Sequence, residues 1–159
     1  MVSRLVLLLL LPLLSAAQEA MPYQPETHAR ESYEAALQTA QRDGKRLWIQ
    51  IGEPGCPACQ RLYWFIEAHA ETAEWLHRHF ISLHVGISRE NIPLFRAWDS
   101  PQLKHGVPVI LVLDADGVVL TISPAGAFTA SVGEVSEGKV MAFLRQWTAK
   151  PAESPEGKP

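Results

Sequence analysis

The chain has 159 residues, 47% hydrophobic and 19% charged, which suits one globular domain with a real core and excludes a disordered or fibrous chain. The formal net charge of −3 gives no electrostatic reason to expect nucleic acid as a partner.

The first residues read as a targeting segment. Arg4 supplies a positive start, Leu5 to Leu14 an apolar run broken once by Pro12, and Ser15-Ala16-Ala17 the small residues of a cleavage site before Gln18. That run is short of the ~20 residues needed to cross a bilayer as a helix. Residues 1–17 are therefore expected to be a signal peptide, and the mature chain to be periplasmic or secreted with no stable membrane span. No cysteine follows the cleavage site to carry a lipid, and Glu156-Gly157-Lys158-Pro159 is not an ER-retention signal.

Residues 18–29, with Pro22 and Pro25 and few apolar side chains, read as a linker. Arg30 to Arg42 has helical spacing, with Tyr33, Ala36, Leu37 and Ala40 on one face, and Asp43-Gly44 ends it. Leu47 to Ile51 is a short apolar strand bounded by Gly52 and Pro54. Cys56 to about Ala70 reads as a helix with Pro57 in its first turn and Cys59, Leu62, Tyr63, Ile66 and Ala70 on one face. A shorter helix, Thr72 to His79, leads to a second buried strand, Phe80 to Val85. Glu90 to Trp98 is helical if Pro93 sits in its first turn.

Val107 to Leu113 is a strand, Asp114-Ala115-Asp116-Gly117 a hairpin turn, and Val118 to Ile122 the returning strand. Ser123 to Val135 reads as a loop. Ser136 caps a last helix with Val140, Phe143, Leu144 and Trp147 on its apolar face. Residues 149–159 read as a disordered tail. Strands alternating with helices, then a hairpin and a helix, give an α/β domain whose parallel sheet becomes mixed at its end.

The two cysteines, Cys56 and Cys59, sit three positions apart. A disulfide closing so short a loop stabilises by only roughly 2 kcal/mol on chain entropy, so reactivity explains the pair better than stapling does. The pair follows a strand and opens a helix, the context that gives a C-x-x-C motif redox meaning. Free N–H groups and the helix dipole favour an anion at a helix N-terminus, so a cysteine there is stabilised as its nucleophilic thiolate. A second cysteine one turn on can reach back and close a disulfide, releasing a bound substrate.

With that motif, residues 30–148 resemble the thioredoxin-like family, above all its secreted members and the C-terminal periplasmic domain of the DsbD-type reductase. The resemblance rests on the Leu47–Ile51 strand leading into Cys56-Pro57-Ala58-Cys59. It rests equally on His105-Gly106-Val107-Pro108-Val109-Ile110-Leu111-Val112-Leu113, and on Ser136-Glu137-Gly138-Lys139 with Phe143-Leu144. It implies a thioredoxin fold, a central mixed sheet flanked by helices. It implies a thiol–disulfide oxidoreductase acting through Cys56 and Cys59 on exported protein thiols and disulfides, with a membrane protein as a possible redox partner. No cofactor is implied, because electrons pass between sulfurs. Val107 and a cis Pro108 are implied to bind the substrate backbone.

The sequence departs from the thioredoxin pattern at three positions. Gly55 stands where a Trp precedes the first cysteine, Gln50 where a buried Asp sits, and His84 where its partner lysine sits. Glu53 or His84 is the candidate to supply the missing proton transfer. His69, His77, His79 and His84 with two thiols fall short of a structural zinc set, so no metal is expected. Two rivals stay open, a copper(I) chaperone, which needs a third ligand by the cysteines, and an interaction module with an inert disulfide.

Overall fold

The computed structural model describes residues 22–23, 29–100, 103–104, 106–130 and 133–149. The expected signal segment, most of the linker, His105 and the tail beyond residue 149 lie outside the described residues.

The elements follow in chain order as α1 (Ala29–Asp43), β1 (Arg46–Gly52), α2 (Pro57–Ala68), α3 (Ala70–His79) and β2 (Phe80–Gly86). Then come α4 (Ile92–Ala97), β3 (Val109–Leu113), β4 (Val119–Ser123), a 3-10 turn at Ala125–Phe128 and α5 (Glu137–Gln146). The four strands form one mixed sheet in the order β2-β1-β3-β4. β1 and β2 run parallel, while β3 lies antiparallel to both β1 and β4.

β1 is central and covered on both faces, which is why Leu47–Ile51 is apolar on both sides, save for Gln50, rather than alternating. Leu47, Ile49 and Ile51 face α1 and α4, meeting Ala36, Ala40, Leu94 and Trp98. Trp48 faces the other way, into a second core with Leu62, Ile66, Leu76, Phe128 and Leu144. The period of two puts Gln50 on this second face, beneath α2.

The helix ends follow local chemistry. Gly44 takes a left-handed conformation at φ +63° after α1, where a side chain would be strained. The Ser136 hydroxyl accepts the Lys139 N–H at 3.4 Å and caps α5. Pro93 lies in the first turn of α4, where a missing N–H costs nothing.

Three features differ from the sequence expectation. β3 begins at Val109 rather than Val107, because Pro108 has no N–H to give to a ladder. The long second helix ends at Ala68, where His69 turns extended before α3 resumes. The stretch expected as a plain loop carries the 3-10 turn, and its Phe128 is buried against Trp48 and Phe143.

Candidate redox site

β1 ends at Gly52, and after Glu53, Pro54 and Gly55 the chain enters α2 at Cys56, which is the helix N-cap. Cys56 has φ −87° and ψ 109°, and its Sγ accepts the Cys59 N–H at 3.2 Å. Its own N–H donates to the Glu53 carbonyl at 3.1 Å, and its carbonyl accepts from the Gln60 N–H at 3.2 Å. Pro57 fills the first helical position, where no donor is needed. The start of α2 thus aims a backbone N–H at this sulfur, an arrangement that favours its thiolate over its thiol.

Cys56 and Cys59 are joined as a disulfide, with their Cα atoms 5.3 Å apart. Cys56 is half-buried and Cys59 is fully buried. The Val107 carbonyl oxygen lies 3.7 Å from the Cys56 sulfur, and the Val107–Pro108 bond is cis. Pro108 is buried and shares a small cleft with Ala58 and Leu62 of α2. The fold therefore brings Cys56, Cys59, Val107 and Pro108 together from two distant parts of the chain.

Beneath the pair lies a polar cluster inside the apolar core. Gln50 is fully buried, and its Nε2 donates to the Tyr23 hydroxyl and, at 3.4 Å, to the Cys59 carbonyl. The Tyr23 hydroxyl donates to that same carbonyl at 3.1 Å. Gln50 Oε1 is buried without a partner among the described residues. Such an orphan costs about 1–3 kcal/mol. Burial holds the Tyr23 phenol well above its usual range, outweighing the Gln50 hydrogen bond, which pulls it down.

His84 on β2 is the register partner of Gln50, and its ring meets Tyr23 and Tyr63 edge-on at 5.8 and 4.9 Å. Part of His84 remains exposed, yet loss of water around the ring pushes its pKa down to about 4. The imidazole is neutral at ordinary pH. Glu53 is exposed in the loop before α2, where its backbone carbonyl holds Cys56. Among the described residues no three His, Cys, Asp or Glu side chains gather as a metal-ligand set.

Sequence reasoning missed Tyr23, which it placed in the linker. The signal was Gly52. A Cβ at that position would lie 2.6 Å from the Tyr23 ring, so glycine there marks a close approach by another part of the chain.

A family model described as thioredoxin-like matches residues 28–115, more than half of the chain. Among solved structures, the fold is similar to a disulphide isomerase from Xylella fastidiosa Temecula1, with a TM-score of 0.69 and 20% identity over 79% of this chain and 95% of that one. A thioredoxin from Thermus thermophilus gives 0.54 and 20% identity, covering 79% and 85% of the two chains. Poplar thioredoxin h gives 0.52 and 16% identity, covering 76% and 91%. No curated protein matches. At these identities the structures speak for the fold, and the family match decides membership: the chain belongs to the thioredoxin-like family.

Proposed function

We propose that the protein is a thiol–disulfide oxidoreductase for exported proteins, with Cys56 as its nucleophile and Cys59 as its resolving thiol. One observation carries the reading: a Cys56–Cys59 disulfide at the N-terminus of α2, with one sulfur reachable and the other buried.

In the reducing direction the Cys56 thiolate attacks one sulfur of a client disulfide. The client S–S bond breaks, a Cys56–client disulfide forms, and the other client sulfur leaves as a thiolate that takes a proton. Cys59 then loses its proton and attacks the Cys56 sulfur. The mixed bond breaks, the Cys56–Cys59 disulfide forms, and the second client sulfur leaves. Two electrons move from the pair to the client, sulfur to sulfur, without a cofactor. The same steps in reverse donate a disulfide, and a membrane redox partner resets the pair. Glu53, exposed in the turn whose backbone holds Cys56, is the proton carrier we assign to the outer thiol on position alone.

The surroundings suit a polypeptide client. The Val107 backbone beside Cys56 can pair with an extended segment, and an open groove of about 660 Å³ adjoins Pro57. Trp64, 42% exposed, and Phe65 give that groove an apolar lining, with Arg61 and Glu134 at hand for polar contacts. No described helix is long and apolar enough to cross a membrane. The N-terminal apolar run and small-residue cleavage site support export.

Trapping tests the reading. Cys59→Ser should accumulate Cys56-linked mixed disulfides with proteins from an exported-protein extract, because the resolving thiol is gone. Cys56→Ser should accumulate few. Failure of both variants to capture any client would contradict the proposal.

A further inference from the structure

Tyr23 precedes the first helix, 36 positions from Cys59, yet it is fully buried beneath the redox helix. Two kinds of contact hold it there. Its ring occupies the space over Gly52, the last residue of β1, where only a glycine leaves room. Its hydroxyl accepts from Gln50 and donates to the Cys59 carbonyl at 3.1 Å, and Gln50 reaches the same carbonyl at 3.4 Å. The backbone of the residue that carries the buried sulfur is thus gripped from below by two donors, neither of which belongs to α2.

This grip bears on one chemical step. Closing the disulfide requires the Cys59 sulfur to stay within reach of the Cys56 sulfur while Cys56 is bound to something else. The advantage of an intramolecular thiol lies in its effective molarity, which falls steeply when the reacting group is free to move. The Cys56 backbone is held instead by the Glu53 carbonyl, and its sulfur meets the Tyr23 chain only at second hand, through the Cys59 N–H that it accepts. Its own attack on a substrate therefore draws on Tyr23 far less than the placement of Cys59 does.

We infer that Tyr23 is a positioning residue for the resolving step, holding Cys59 against Cys56 through the Tyr23–Gln50–Cys59 hydrogen-bond chain. The inference rests on the exchange function proposed above. It gives the segment before α1 a role in the chemistry, and it gives the Gln50 side chain a role other than proton transfer, since an amide takes up no proton at ordinary pH.

The test uses the full chain and glutathione disulfide. The reduced protein is mixed with it, quenched with acid at intervals, and read by mass spectrometry. The Cys56 thiolate breaks the glutathione S–S bond, forms a glutathione adduct and expels one glutathione thiolate. Cys59 then breaks the adduct, forms Cys56–Cys59 and expels the second. Adduct formation reports attack, and adduct decay reports resolution.

Tyr23→Phe keeps the ring and removes only the hydroxyl. It should leave the attack rate within about twofold of wild type and slow resolution by roughly three- to tenfold, the scale of one buried hydrogen bond. The equilibrium constant for closing the disulfide should fall by a similar factor. Gln50→Leu should act alike from the other end of the chain, and the double variant should be little worse than either single one, because linked groups are not additive. Resolution at the wild-type rate in Tyr23→Phe, or attack and resolution slowed together, would overturn the inference while leaving the exchange function standing. A wild-type protein that forms neither the adduct nor the Cys56–Cys59 disulfide would overturn both.

Discussion

The Tyr23 hydroxyl and the Cys59 carbonyl meet at 3.1 Å, and this contact ties a residue ahead of the first helix to the first turn of the redox helix. A neutral pair, Tyr23 with Gln50, thereby fills the space under the buried sulfur where thioredoxins place an acid. The consequences are open to direct measurement.

Gly52→Ala should expel Tyr23 from its slot. The new methyl would lie 2.6–2.9 Å from three atoms of the ring, closer than carbon atoms can pack. Overpacking of this kind costs about 1–3 kcal/mol, to be read as a lowered melting temperature or denaturant midpoint. In a Tyr23→Ala background the same substitution should cost much less, because nothing is left to collide with. Equal costs in both backgrounds would mean that Tyr23 does not occupy this position.

The two thiols of the reduced protein should differ in reactivity. Cys56 is half-buried at a helix N-cap and Cys59 fully buried behind it. Iodoacetamide at neutral pH should therefore label Cys56 faster by roughly tenfold or more, as peptide mapping would show. Equal labelling, or faster labelling of Cys59, contradicts the assignment of roles.

His84 should make the fold acid-sensitive. Its folded pKa of about 4 lies below the ordinary histidine value of 6.5, so the fold favours the neutral ring. The stability that His84 contributes is fully present above pH 6.5 and is lost as the pH falls from 6.5 towards 4, by about 2–3 kcal/mol in all. Melting curves at pH 7 and pH 4.5 should show His84→Phe losing less stability on acidification than wild type does. An identical loss in both proteins would place the acid sensitivity elsewhere.

Gln50→Glu puts a carboxyl group in a fully buried position beside a phenol and a neutral imidazole. Burial raises the pKa of such a group, so the folded chain holds its proton more tightly than the unfolded one. The variant should match wild type best at about pH 4 and below, under the ordinary glutamate value, and lose about 2 kcal/mol relative to it as the pH rises to 8. Chemical denaturation at the two pH values measures this. A constant difference would mean that water reaches the position.

Much of this architecture was legible in the sequence, because it depends on local rules. The apolar run of Leu47–Ile51, the helical stripes, the Asp-Gly turn and the Ser136 cap each appear where their residues predict. The cysteine pair at a strand-to-helix junction was legible for the same reason. The cis bond before Pro108 was foreseen through family resemblance, since no local residue pattern demands it. Gln50 stood out as a polar residue within an apolar strand, but its partner did not. Tyr23 lies among prolines with no periodicity around it, and its contacts join residues 27 and 36 positions away. Phe128 was hidden likewise, in a Gly- and Ala-rich stretch where one aromatic gives no pattern.

The most direct test of the central claim is the reduction potential of the Cys56–Cys59 pair, read by mass spectrometry after equilibration in graded glutathione buffers. An exchange centre predicts full and reversible conversion between dithiol and disulfide, at a potential of about −270 to −120 mV. A pair that stays oxidised throughout, with a potential below about −300 mV, would behave as a structural bridge and contradict the account.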